Sequence, residues 1–207
     1  MPSFPDDGQR NALADECRRC PELAESRTCI SWGNGPLSAD LVVIGEAPAE
    51  GNPEADQWRG GNLTGMAYTS QRSGRKIRQV LADAGFGDDD CYYTNAVKCH
   101  PSENRDPTDE ELANCRPYLV TEVEAVEPTA VLTTGKHATK TVLALDDASL
   151  DGFLDSVLDP RRSEALGVPV LPLLHPSYQE VWLARLGYVY DEYVAAIAET
   201  VAGVGDT

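Results

Sequence analysis

An α/β domain built on a parallel sheet is what this sequence predicts, and three observations carry that expectation. Four short runs, at 41–45 (LVVIG), 92–97 (YYTNAV), 130–134 (AVLTT) and 168–174 (VPVLPLL), are apolar or β-branched, as strands buried on both faces are. Helical stretches lie between them, so strand and helix alternate four times, the order that gives parallel strands joined by right-handed crossovers. With 207 residues the chain is long enough for one domain with a real core. A single domain over 1–207 is therefore expected, with 1–13 as a flexible extension.

The first strand, 41–45, ends in Gly45-Glu46-Ala47-Pro48. The segment 50–73 is rich in Gly and Asn and reads as a surface loop. A helix over 75–84 follows Ser73-Gly74, and the second strand runs on into Asn95 and the residues up to Pro101. The next helix, 108–126, opens with Thr-Asp-Glu-Glu after Pro107, which makes Thr108 its expected N-cap with acids in the first turn. Gly135 separates the third strand from a helix over 136–145. The Asp-rich stretch 146–160 reads as a surface loop, the fourth strand meets His175-Pro176-Ser177, and a helix over 188–202 closes the chain. Every unusual residue cluster thus falls at or just beyond a strand end, where open α/β sheets bind their ligands. One composite pocket is expected there.

Charge first argues against a polyanionic partner, since 34 acidic residues oppose 17 basic ones for a formal net charge of −17. A surface adapted to a salty cytoplasm is the favoured explanation, because molar salt screens repulsion to within about 3 Å. Local basic clusters then count for more than the total. Arg72, Arg75, Lys76 and Arg78 form one beside the helix start at Gly74, and helix N-termini and arginines both suit phosphate. Lys98 and Arg105 are expected to extend it. No run of about 18 apolar residues occurs, and 1–15 is acidic and polar, unlike a signal peptide. A soluble, cytoplasmic protein with no membrane partner is expected.

Six cysteines in an intracellular chain point to metal binding or catalysis before disulfides. Cys17-x-x-Cys20 places two thiols on one turn of chain, Cys99 follows the second strand, and Cys115 lies inside the next helix. Four such thiolates suit a tetrahedral zinc ion or a cubane cluster, and counting sulfurs does not separate the two. Spacing alone also allows Cys99 and Cys115 to be small buried hydrophobes, which is the preferred reading for Cys29 and Cys91. Of the three histidines, only His175 directly follows an apolar strand; His137 falls within a helix pattern and is given no role.

Read in order, Cys17-x-x-Cys20, Gly45-Glu46-Ala47-Pro48, Thr94-Asn95-Ala96-Val97-Lys98-Cys99-His100-Pro101, Asn104-Arg105, Cys115 and His175-Pro176-Ser177-Tyr178 resemble the family 4 uracil-DNA glycosylases. These are the iron–sulfur members of their superfamily, and the resemblance runs from about residue 14 to about residue 200. It implies a three-layer α/β/α fold around a four-stranded parallel sheet. It also implies a [4Fe–4S] cluster on Cys17, Cys20, Cys99 and Cys115, with zinc as the alternative. The implied activity is hydrolysis of the bond between deoxyribose and uracil in single- or double-stranded DNA by a monomeric, monofunctional enzyme that leaves an abasic site.

The residue roles follow the motifs. Asn95 matches the base-reading Asn, whose carboxamide offers one donor and one acceptor to O4 and N3–H of uracil, a pattern that cytosine reverses. His175 matches the residue that donates to O2 of the leaving base. Gly45, Glu46 and Ala47 match the turn that approaches base and sugar, with Glu46 as a catalytic candidate for ordering water. In the best-known branch of the superfamily an Asp stands where this chain has Ala47, so that base is excluded. Tyr68, in Gly65-Met66-Ala67-Tyr68, is the nearest counterpart of the family's base-stacking Phe. Ala49 stands where the family has Gly. Residues 178–185 could carry a wedge into the duplex, and contact with a replication clamp is not readable. Two other readings remain open: a glycosylase for another damaged base, and a metal-stapled protein that binds damaged DNA without cutting it.

Overall fold

A computed structural model describes residues 2–205. In chain order its elements are β1 (Arg10–Asn11), α1 (Pro21–Ser26), β2 (Gly33–Asn34), β3 (Leu41–Gly45), α2 (Gly61–Thr64), α3 (Gly74–Asp83), β4 (Cys91–Asn95), α4 (Asp109–Val126), β5 (Ala130–Thr134), α5 (Lys136–Leu143), α6 (Phe153–Ser156), β6 (Arg161–Arg162), β7 (Pro169–Leu173), α7 (Gln179–Leu186) and α8 (Tyr190–Gly205). The four strands expected from the apolar runs form the parallel centre of the sheet, side by side as β4, β3, β5 and β7. Two-residue antiparallel strands extend it at both edges, β2 and β1 beyond β4 and β6 beyond β7. The sheet is therefore mixed and seven-stranded. Two residues carry no period, so these edges leave no trace in the sequence pattern.

Alternation along each central strand builds the layers. Leu41 and Val43 face Ile77 and Leu81 of α3 and Tyr193 and Ile197 of α8, together with Tyr93, Leu132 and Leu171. Val42 and Ile44 point the other way, onto Leu119 and Val123 of α4 and Val142 of α5. Both faces of these strands are covered, which is why their sequences are apolar throughout instead of alternating. β4 stops at Asn95, two residues short of expectation, because Ala96 and Val97 turn to donate their N–H groups to the Gly45 and Glu46 carbonyls at 2.8 and 2.9 Å. α4 begins as its first residues predict: Thr108 Oγ1 accepts from the Glu111 N–H, and the Glu111 carboxylate accepts from the Thr108 N–H, closing a capping box.

Three expectations are corrected. The segment 50–73 is not a surface loop, for it contains α2 and buries Trp58, Met66, Ala67 and Tyr68. The Ala67 N–H donates to the Trp32 carbonyl at 2.8 Å, so this stretch is sewn to the N-terminal region. Within 146–160, α6 packs Phe153 and Leu154 against the core. The N-terminal stretch is docked: β1 pairs with β2, Arg10 Nε donates to the Gly65 carbonyl at 2.8 Å, and the Phe4 ring meets Trp58 edge-on. Met1 lies outside the described residues. Among those residues no helix is long and apolar enough to cross a membrane.

Candidate active site

Gly45 and Asn95 end adjacent parallel strands in register, and the missing side chain of Gly45 opens the space between them. A Cβ at position 45 would come within 2.5 Å of both Asn95 Oδ1 and Tyr68 Oη, so these two polar atoms converge on the place a side chain would fill. Asn95 is 5% exposed, and its carboxamide has no hydrogen-bond partner among the described residues. Its amide oxygen and nitrogen are not among the fully buried orphaned atoms, so they are open to solvent and to a ligand. Tyr68 holds a left-handed backbone (φ 53°), a strained state for a residue with a Cβ. Its ring packs edge-on against Tyr93, and its hydroxyl bonds Thr134 Oγ1 at 2.5 Å.

Thr134 ends β5 and lines a cleft of about 570 Å³ together with Glu46, His137, His175 and the apolar side chains of Phe153, Leu154 and Trp182. His175 enters closely over Gly135, where a Cβ would meet the imidazole's own Cβ at 2.9 Å. The Ser177 N–H donates to His175 Nδ1 at 3.2 Å. Burial, then the neighbouring His137, holds the imidazole below its ordinary value of 6.5. His175 is thus neutral at pH 7 with its proton on Nε2, a hydrogen-bond donor without charge. Across the cleft His137 Nδ1 stands 3.5 Å from carboxylate oxygens of both Glu46 and Asp106. Burial raises the Glu46 carboxyl above its ordinary value; His137 pulls it down and Asp106 pushes it up. The ligand atoms of Glu46, Asp106 and His137 all lie within 4.8 Å of one another, an ion-pair cluster without a hydrogen bond among its members.

Beside the cleft runs a groove of about 620 Å³ lined by Arg72, Arg75, Lys76, Ser177 and Tyr178, among others. Lys76 bonds Glu180 across it at 2.9 Å. Arg78 does not belong to this surface. It is 3% exposed, donates to Asn34 Oδ1 at 2.6 Å, pairs with Asp88 and lies over the Tyr93 ring at 3.8 Å. Its place on the inward face of α3, next to Ile77 and Leu81, explains the reversal. Lys98 and Arg105 are also no part of it: Lys98 is buried against Glu122, and Arg105 grips Glu111 at 2.7 and 2.8 Å and reaches Glu22 at 3.2 Å. Ala47 turns its side chain toward the cysteines, so only its backbone remains for a ligand.

Cys17, Cys20, Cys99 and Cys115 share one small cluster with Leu23, Trp32 and Val97, beyond the end of β4. Hydrogen-bond donors surround the sulfurs. Arg27 Nη1 lies 3.1 Å from Cys99 Sγ and Asn114 Nδ2 lies 3.4 Å from Cys20 Sγ. Burial pushes the Cys115 thiol up to about 11, against the pull of the Lys98 backbone amide and ammonium. Cys91 lies apart in the main core, its thiol pushed by burial up to about 12, and Cys29 is only partly buried.

A family model described as the uracil DNA glycosylase superfamily matches residues 32–197, a span that holds Gly45, Tyr68, Asn95 and His175. The chain belongs to that superfamily. Uracil-DNA glycosylase relatives of two types are similar to it. A type-4 uracil-DNA glycosylase of Archaeoglobus fulgidus is 34% identical over 131 residues, covering 63% of this chain and 60% of that protein. A type-5 uracil-DNA glycosylase of Pyrobaculum aerophilum is 33% identical over 198 residues, covering 82% of each, and a type-4 uracil-DNA glycosylase of Thermotoga maritima is 31% identical, covering 79% and 77%. Two cleft residues beside Glu46 were given no role from the sequence, His137 and Asp106. The signal was present, because His137 is two residues past Gly135, at the same sheet edge that singled out His175.

Proposed function

We propose that this protein is a uracil-DNA glycosylase, which hydrolyses the bond between C1′ of deoxyribose and N1 of uracil and leaves an abasic site. The observation that carries the reading is that the same end of the parallel sheet carries a carboxamide that no described protein group answers, at Asn95, and an uncharged donor, at His175. Chemistry at this bond places positive charge on the sugar and negative charge on the departing base. A flipped uracil would give O4 and N3–H to the Asn95 carboxamide, and its O2 would accept from His175 Nε2–H as charge develops there. Tyr68 supplies an aromatic wall, and the backbone of Gly45 and Ala47 admits base and sugar. Glu46, with His137 and Asp106 beside it, is the group offered to orient the attacking water. The water oxygen bonds to C1′, its proton passes to Glu46 or solvent, and the C1′–N1 electron pair leaves with the base. Arg72, Arg75 and Lys76 are proposed to follow the DNA backbone.

Cys17, Cys20, Cys99 and Cys115 would hold the [4Fe–4S] cluster that the type-4 likeness suggests. The donor set fits. Amide and guanidinium N–H groups on the sulfurs stabilise a thiolate-bound cluster. When bound, such a cluster would be a structural staple between the N-terminal segment and β4.

Purified wild type, Asn95→Ala and His175→Ala are assayed in strong salt on single-stranded and U·G duplex DNA. Wild type is expected to release uracil and both variants to lose most of that activity. No release by wild type overturns the reading. Release of hypoxanthine or 5-substituted uracil in preference would move it to another base, and tight binding without turnover would favour a damaged-DNA-binding protein.

A further inference from the structure

Lys98 is 1% exposed and Glu122 is fully buried, yet neither has an unanswered group. The three hydrogens of an ammonium meet three acceptors here: Glu122 Oε2 at 2.5 Å, Thr94 Oγ1 at 2.6 Å and the Asn95 carbonyl at 2.6 Å. The carboxylate has room for about four donors and receives four. They are Lys98 Nζ, the Thr94 hydroxyl at 2.6 Å, the Gly33 N–H at 3.0 Å and the Tyr92 hydroxyl at 3.2 Å. Asn11 Nδ2 in turn donates to the Tyr92 hydroxyl, so the network reaches the N-terminal strand. Completeness of this kind is what lets a buried ion pair persist.

The pair sits where it bears on the base-reading residue. Asn95 ends β4, and its peptide is gripped from two directions. The following N–H groups of Ala96 and Val97 bond the carbonyls of Gly45, the last residue of β3, and of Glu46 just beyond it, and the Asn95 carbonyl itself is held by Lys98. Glu122 lies two helical turns beyond Cys115 on α4, and Lys98 immediately precedes Cys99, so α4 is joined to this segment at two levels. The ion pair fixes one level and the cysteine site the other. A carboxamide that must present its oxygen and nitrogen in one order to a base needs its backbone held within a fraction of an ångström.

We propose that Lys98 and Glu122 are positioning residues for Asn95, setting the orientation of its carboxamide toward uracil; this deepens the uracil-glycosylase reading and rests on it. Neither residue touches the base. Their effect on catalysis should run through Asn95 and vanish when the carboxamide is absent.

A double-mutant cycle tests this. Lys98→Met/Glu122→Gln keeps the shape of the pair and leaves no buried charge; it is made in the wild-type and Asn95→Ala backgrounds, and uracil release is measured in single turnover after folding is checked by circular dichroism. The expected result is a loss of at least about tenfold in the Asn95 background and less than about twofold in the Asn95→Ala background. Equal losses in both backgrounds, or no loss in either, would overturn the positioning role. If the pair variant does not fold, Lys98→Arg is read in the same cycle, since a planar guanidinium cannot meet the three acceptors at one point. Wild type that releases no uracil refutes the glycosylase reading instead, which keeps the two failures apart.

Discussion

In the proposed reading Asn95 and His175 divide the work between recognition and charge stabilisation, and their surroundings suit each to its half. The Nε2–H of His175 is fixed by the Ser177 N–H on Nδ1, and its burial keeps the ring neutral. Removing one such donor costs roughly 10²–10³ in rate in comparable sites, so His175→Ala should lower single-turnover uracil release by about two orders of magnitude while leaving DNA binding nearly unchanged. Glu46 makes a pH prediction with a definite sign. Its carboxyl is raised by burial, pulled down by His137 and pushed up by Asp106. If ionised Glu46 orients the water, activity falls as pH drops through that raised value, placing the acid limb above the ordinary Glu value of about 4.3. His137→Ala should move the limb to higher pH, Asp106→Asn to lower pH, and Glu46→Gln should remove it; pH profiles of kcat/KM check all three. The strand-end placement of Asn95 and His175 was legible in the sequence because each sits in an ordered motif after an apolar run. The burial of Arg78 and Lys98 was not, since a cation's letter does not say whether it faces water. Their partners, Asp88 for one and Glu122 for the other, become visible only when helix and strand are packed.

α4 shows how far a single element can be read in advance. Its cap, Thr108 with Glu111, is local chemistry spelled within four residues, and it forms as expected. Thr108→Ala should cost about 1 kcal/mol, lowering the melting temperature by roughly 2–4 °C for a chain of this size without changing uracil release at lower temperature. A thermal melt with a parallel assay decides it. The central strands were equally legible, because burial on both faces leaves an unbroken apolar run such as Leu41–Gly45. The segment 50–73 was misread for the opposite reason. Its buried residues, Trp58, Met66, Ala67 and Tyr68, are spread among Gly and Asn, and they are held by long-range bonds such as Ala67 N–H to the Trp32 carbonyl, which have no local signature. The cysteine site joins three such distant pieces. Cys20→Ser should consequently lower the melting temperature and any visible absorbance of the purified protein, with a smaller effect on the bond-breaking step in molecules that remain folded.

At the scale of the whole molecule, a net charge of −17 and the groove of Arg72, Arg75 and Lys76 proposed to follow DNA make opposite demands on salt. Self-repulsion among 34 carboxylates disfavours the compact state, and it acts over the screening length, about 10 Å at 0.1 M salt and about 3 Å at 1 M. Raising salt across that range should therefore raise the melting temperature. Contacts to phosphate respond the other way, because each releases counterions and steepens the fall of affinity with salt by about 0.9 in the logarithmic slope on duplex DNA. Three cations in the groove set an upper slope near −3, shallow for a DNA-binding protein, and that shallow slope is what leaves binding possible at high salt. Each of Arg72→Ala, Arg75→Ala and Lys76→Ala should flatten it by up to about one unit, and Lys76 by less than Arg72 because Glu180 already neutralises it at 2.9 Å. Arg78→Ala should destabilise the fold and leave the slope unchanged, since its guanidinium is spent on Asn34, Asp88 and the Tyr93 ring. Titrations of duplex DNA at several salt concentrations measure these slopes, and equal flattening by Arg78→Ala would mean that the groove has been drawn in the wrong place.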